Sequence, residues 1–255
     1  RQPQRGASPA PGPVTPARAL AALALVVGLA HLPFLASHLE DIDSVNFALG
    51  VRDFDVAEHR PHPPGYPVYI ALGKIVAGAA AALPGAGPPS QVEARSLALL
   101  SLVSALLAVF LVYRVFAAVQ PVRADGLPPT ALDAVALGAS ALTAASPLVW
   151  TLGARPMSDL PGLAFALASQ ACLAMAWWWQ TPPADGDKRM SADMVMASGR
   201  MIVLGALAAG LAVGLRTQTL WLTAPLLVLI LLDRVGRGVA GALMGAIMTS
   251  AIGTL

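Results

Sequence analysis

The stretch Glu40–Pro67, EDIDSVNFALGVRDFDVAEHRPHPPGYP, decides how the rest of the chain is read. It gathers Glu40, Asp41, Asp43, Asp53, Asp55 and Glu58 with His59 and His62, and it closes on Pro61, Pro63, Pro64 and Pro67. The sequence on either side is rich in Ala, Leu, Val and Gly and nearly free of charge. Hydrophobic residues make up 56% of the chain and charged residues 12%, against about 25% charged in an ordinary soluble domain. Mean hydropathy is +0.69. A polar, proline-braced island inside such a chain predicts an all-α, polytopic transmembrane helix bundle with the island as its first loop.

Outward from the island, residues 1–18 carry three arginines and no acid among many prolines, the pattern of a disordered basic cytoplasmic tail. Leu20–Ala36 is just long enough to span a bilayer. A cleaved signal peptide would begin in the same way, but further apolar segments follow at Ser96–Tyr113, Ala134–Trp150, Leu160–Trp179, Met201–Leu215 and Thr217–Leu232, with another starting at Val239. Residues 19–255 are therefore expected to form one membrane module. The start at Arg1 and the end at Leu255, inside an apolar run, are read as the ends of a fragment of a longer protein.

Charge decides whether Tyr66–Leu83 also crosses. Its apolar content is mostly Ala and Gly, and Lys74 sits near its middle, where a lysine costs roughly 3 kcal/mol on insertion scales. If this segment does not cross, Arg1, Arg5, Arg18, Arg114, Arg123, Lys188, Arg189, Arg200, Arg234 and Arg237 share the cytoplasmic side, ten of the sixteen basic residues. The positive-inside rule prefers that arrangement. Residues 66–83 then read as a juxtamembrane or re-entrant helix, and the first extracytoplasmic loop runs from about 37 to 95. The same choice brings the acidic island, Arg95, the turn at 151–159 and the turn at 215–218 to one face.

Several function classes are excluded early. A net charge of +2 with scattered basic residues does not fit nucleic-acid binding. The single Cys172 permits neither an internal disulfide nor a cysteine metal cluster. The chemistry-bearing residues are those of the proposed extracytoplasmic face. Glu40, Asp41 and Asp43 can act as a general base or a metal ligand, or stay as solvated loop acids, and Asp43 can instead cap a helix over SVNFALGV. His59 and His62 flank Arg60 and precede a proline-restricted turn with Gly65 and Tyr66, which holds side chains in fixed positions. Lys74, Arg95, Arg155 and Arg216 either snorkel to headgroups or together neutralise a phosphate. Gln218 stands in the last of these turns, and Asp159 is placed to pair with Arg155.

DSVNFALGVRDFDVAEHRPHPPGYPVYIALGKI, at residues 43–75, resembles the HPPGYP-signature membrane proteins related to protein O-mannosyltransferases, within the GT-C superfamily of glycosyltransferases. His62–Pro67 carries the signature, and the order of first span, acidic loop, signature and Arg-headed span extends the resemblance over about residues 19–232. The resemblance implies a polyprenyl-phosphate sugar donor, transfer to a hydroxyl of a protein, lipid or glycan outside the cytoplasm, and inversion at the sugar carbon. It also implies an acidic base in the first external loop: Asp43, with Asp41 and Glu40 behind it. One departure stands out: Ser44-Val45-Asn46 follows Asp43, where such relatives often have Gly-Glu. No cofactor is required, and a divalent metal is compatible with the carboxylates. The expected setting is a bacterial inner membrane. The competing readings are a transporter or lipid flippase, and a non-catalytic membrane scaffold.

Overall fold

The computed structural model describes residues 15–119, 128–178 and 192–234. The tail before Thr15, parts of the expected cytoplasmic loops, and the segment from Val239 lie outside them. Among the described residues there are helices and no strand. They are α1 (Pro16–His31), α2 (Ile42–Arg52), α3 (Pro67–Ala81), α4 (Pro89–Val119), α5 (Pro129–Ala144), α6 (Pro147–Leu152), α7 (Asp159–Trp178), α8 (Ala192–Leu215) and α9 (Leu220–Arg234). Several start where the sequence supplies a start signal: Thr15 caps α1 with Pro16 behind it, and Ser146 caps α6 with Pro147 behind it, proline being preformed for the first helical position.

Four helices are long and apolar enough to cross a membrane: Pro16–Phe34, Pro89–Val119, Asp159–Trp177 and Asp193–Leu215. They fit an integral membrane protein. Two of the expected spans are modified. Ala134–Trp150 is not one helix, because Pro147 has no N–H to continue it; α5 ends at Ala144 and α6 restarts after Ser146. The segment at 217 begins as a 3₁₀ turn, Thr217–Thr219, before α9, which carries Pro225 inside it.

α7 is the hub. α4 runs parallel to it, with Ser101 bonded to Met157 just before α7 and Arg114 near Met175 towards its end. α8 runs antiparallel, from Ser198 bonded to the Ala176 carbonyl to Arg216 beside Asp159. α5 runs antiparallel to α4, through Tyr113–Asp133 and Ser140–Val109. α4 and α7 thus run one way and α5 and α8 the other, as successive crossings joined by the loops between them require. Leu173, Ile202, Ala206, Leu227 and Ile230 fill the α7–α8–α9 core, and Val27, Ala105, Val109, Ala144 and Leu160 the α1–α4–α5–α7 core.

α3 stays at one end. Its start packs on Leu97 and Leu215, and its later residues Ala77, Gly78 and Ala81 face Pro89 and Val92 at the beginning of α4. It therefore lies along the first turns of α4 rather than passing the bundle. α4 has 31 residues, about 46 Å of helix, against a hydrocarbon core of about 30 Å. α4 is thus longer than one crossing needs, and α2 and α3 pack on its first turns. Arg52, at the end of α2, clamps it there with two bonds to Glu93, Nε–Oε1 at 2.6 Å and Nη2–Oε2 at 2.7 Å.

The contact between α3 and α8 depends on a glycine. A Cβ at Gly214 would lie 2.5 Å from Val68 Cγ2, whereas one at Gly78 would meet nothing within 4 Å. Gly214→Ala should therefore destabilise the detergent-purified protein by about 1–3 kcal/mol through overpacking. Gly78→Ala should be neutral or stabilising, since alanine favours helix by up to about 1 kcal/mol. Thermal unfolding of the two variants side by side checks the pair.

Candidate active site

The site begins at the entry to α2. Asp41 is the N-cap: its Oδ1 accepts from the Ser44 N–H at 2.7 Å, and Ser44 Oγ accepts from the Asp41 N–H at 3.2 Å. This reciprocal box needs a polar residue three positions after the cap, and Asp41 has Ser44 there. The capping role considered for Asp43 thus belongs to Asp41. Asp43 sits in the first turn with its side chain 45% exposed. It is favoured there by the positive end of the helix and is free of the cap.

The loop from Asp53 to Tyr66 is built largely from its own charges. Asp55 and Arg60 exchange backbone bonds of 2.7 and 2.8 Å, and Asp55 Oδ1 accepts from the Ala57 and Glu58 N–H groups. Arg60 pairs with Asp53 at 2.9 Å and Asp55 at 3.8 Å. His59, at φ 57°, is exposed in the turn. Arg60 and His59, both expected at the substrate, thus shape the loop, and Arg60 is occupied by its own acids. Arg60–Pro61 and Pro63–Pro64 are cis. At Gly65, φ 91°, a Cβ would press on Val56 at 2.8 Å, so glycine is required.

His62 and Tyr66 point back at α2. His62 Nε2 lies 3.9 Å from Asp43 Oδ1 and 3.4 Å from the Tyr66 hydroxyl, and His62 Nδ1 lies 3.3 Å from Asn46 Nδ2. The Tyr66 ring meets Phe47 edge-on, with centroids 5.1 Å apart. Tyr66 itself is left-handed, φ 49° and ψ 50°, and precedes Pro67 at the start of α3.

The opposite wall comes from α7 and α8. Arg216 Nη1 donates to Asp159 Oδ2 at 2.9 Å and approaches Ser158 Oγ at 3.4 Å. Asp159 thus pairs with Arg216 rather than Arg155. Asp159 opens α7 where α8 ends, while Arg155 is exposed in the preceding turn. Gly162 makes room for the pair, since a Cβ there would lie 2.9 Å from Arg216 Cβ. The two walls feel one another. Burial pushes the Tyr66 phenol above its ordinary value; the Arg216 charge opposes this, and Asp43 and Asp159 add to it. The phenol is thereby kept neutral, a hydrogen-bonding group between an exposed carboxylate and a held guanidinium.

Asp43, His62, Tyr66, Asp159 and Arg216 are thus assembled at one end of the bundle. Glu40, Arg95, Arg155 and Gln218 are exposed at the same end without being drawn into this cluster. Lys74 lines a separate cleft with Arg52 and Glu93. Asn46, Ser158 and Gly162 escaped the sequence reading because each acts through a partner distant in the chain. Asn46 alone left a signal, a polar residue on the same helix face as Asp43. Among the described residues, no group of three or more His, Cys, Asp or Glu side chains is placed to hold a metal ion.

A family model described as Protein O-mannosyl-transferase TMEM260 N-terminal domain matches residues 55–238. The match includes His62, Tyr66, Asp159 and Arg216 and begins after Asp43. No curated protein and no solved structure matches the chain.

Proposed function

Because the chain belongs to the protein O-mannosyl-transferase TMEM260 N-terminal domain family, we propose that it is the catalytic-end module of an integral membrane glycosyltransferase of the GT-C type. It moves a sugar from a polyprenyl-phosphate donor to an acceptor hydroxyl, with inversion at the sugar carbon. The observation that carries this reading is the facing pair of groups at one bundle end: a part-exposed Asp43 carboxylate, outside the helix cap and beside His62 and Tyr66, and the Arg216 guanidinium oriented by Asp159.

The two halves match the two needs of the reaction. Asp43 takes the proton of the acceptor hydroxyl as its oxygen forms the new bond to the sugar carbon. The bond from that carbon to the phosphate oxygen breaks on the opposite face, and its electron pair leaves on the phosphate. Arg216 stabilises that charge, and Asp159 holds it in position beforehand. Tyr66 and His62 border the space between as hydrogen-bonding and aromatic surface. The reading requires no cofactor. The distribution of basic residues along the sequence supports placing this end outside the cytoplasm.

The test is incubation of the full-length membrane protein with labelled polyprenyl-phosphate sugars and hydroxyl acceptors. Acceptor-dependent release of polyprenyl phosphate, with label recovered on the acceptor, is the expected result. Movement of intact donor across a vesicle membrane without transfer would instead favour a flippase.

A further inference from the structure

At the far end of α2 from Asp43, a cleft of about 310 Å³ opens between the end of α2, the outer face of α3 and the first turns of α4. Asp43 and Arg52 are nine residues apart on one helix, about 14 Å along its axis, so the cleft is separate from the proposed transfer site. Its charged lining is Arg52, Lys74 and Glu93. Glu93 is consumed by the two bonds from Arg52. Lys74 is exposed, so the lining carries one cationic charge that its own acid does not cancel. The floor is apolar and shallow in side chain: Ala77, Gly78 and Ala81 on α3 face Val92 on α4. A Cβ at Gly78 would meet nothing within 4 Å, so the cleft is open space rather than a packed seam. Ile75, next to it on α3, and Leu83, just past the end of α3, are 68% and 64% exposed.

We propose that this cleft binds an anionic phospholipid of the surrounding bilayer, its headgroup phosphate on Lys74 and the outward side of Arg52 and the upper part of an acyl chain along Ala77, Gly78 and Ala81. Three features select this occupant. The volume falls at the small end of ligand sites of about 300–1,000 Å³, enough for a headgroup and the first carbons of a chain. The cationic rim is complementary to phosphate, and a lysine reaching the headgroup level satisfies its own charge there. The neighbouring Ile75 and Leu83 are apolar surface suited to lipid rather than water. The proposal goes beyond the transfer reaction and does not depend on it.

Native mass spectrometry of the full chain released from nanodiscs tests it, with phosphatidylglycerol, phosphatidylcholine and inorganic phosphate as probes. Phosphatidylglycerol should bind at least tenfold more tightly than phosphatidylcholine. Gly78→Leu, which fills the floor, and Lys74→Glu, which reverses the rim, should each weaken phosphatidylglycerol by about tenfold or more, while Lys74→Arg retains it. Gly78→Ala, which leaves most of the floor open and favours the helix, keeps the comparison valid if Gly78→Leu fails to fold. Equal affinity for the two lipids overturns the proposal, as does full retention by Lys74→Glu or by a folded Gly78→Leu. Displacement of the lipid by inorganic phosphate alone would overturn it too, by showing that the chain contributes nothing.

Discussion

Asp43→Asn should lower sugar transfer by about 10²–10⁴-fold, the usual contribution of a positioned general base, while membrane insertion and donor binding persist. Asparagine keeps the shape of the side chain and removes its capacity to take a proton at neutral pH. The substitution leaves the helix entry alone, because the cap is made by Asp41 with Ser44. Its structural cost is limited to the favourable position of an anion in the first helical turn, about 0.3–1 kcal/mol. Turnover of the labelled donor, measured beside thermal unfolding of the same preparation, separates the two effects. Full activity in a folded Asp43→Asn protein would remove Asp43 as the base and pass the role to Asp41 or Glu40.

Arg216→Met should cost about 10²–10³-fold, comparable to removing one preorganised group from a developing anion. The variant also leaves Asp159 without its 2.9 Å partner, and an unpaired, part-buried carboxylate is itself damaging. The double variant Arg216→Met/Asp159→Asn resolves the ambiguity. If the loss comes from the stranded acid, the double variant recovers most of the activity. If Arg216 grips the leaving phosphate, the second change restores stability but not transfer, and the two substitutions are strongly non-additive. Recovery of transfer in the double variant would sink the phosphate role.

The segments legible in the sequence were those governed by local physics. Apolar run length identified α1, α4, α7 and α8, and Lys74 with its Ala- and Gly-rich surroundings set α3 apart from them as a shorter apolar helix. The break at Ser146 was also written locally, in Pro147, but a hydropathy window averages over it. Which acid caps α2 was not legible, because Asp41 and Asp43 are chemically alike and only the register to Ser44 distinguishes them. Pairing across the chain was the least legible. Asp159 has Arg155 four residues away and Arg216 fifty-seven away, and only the antiparallel packing of α7 on α8 makes the second the partner. The Arg52–Glu93 clamp spans forty-one residues and joins two elements that no local signal connects. Asn46 at His62 has the same character.

The backbone of Tyr66 carries a last consequence. A left-handed conformation at φ 49° is comfortable for glycine and costs other residues roughly 1 kcal/mol or more. A tyrosine held there by Gly65 before it and Pro67 after it sacrifices local ease for the placement of one ring and one hydroxyl. Such a position inverts the usual rule of protein improvement. The substitution that relaxes the backbone most, Tyr66→Gly, also empties the seat between Phe47, His62 and the charges beyond. Attempts to harden this protein for purification by idealising its turns would therefore erode the proposed substrate site, a local instance of the trade between robustness and activity.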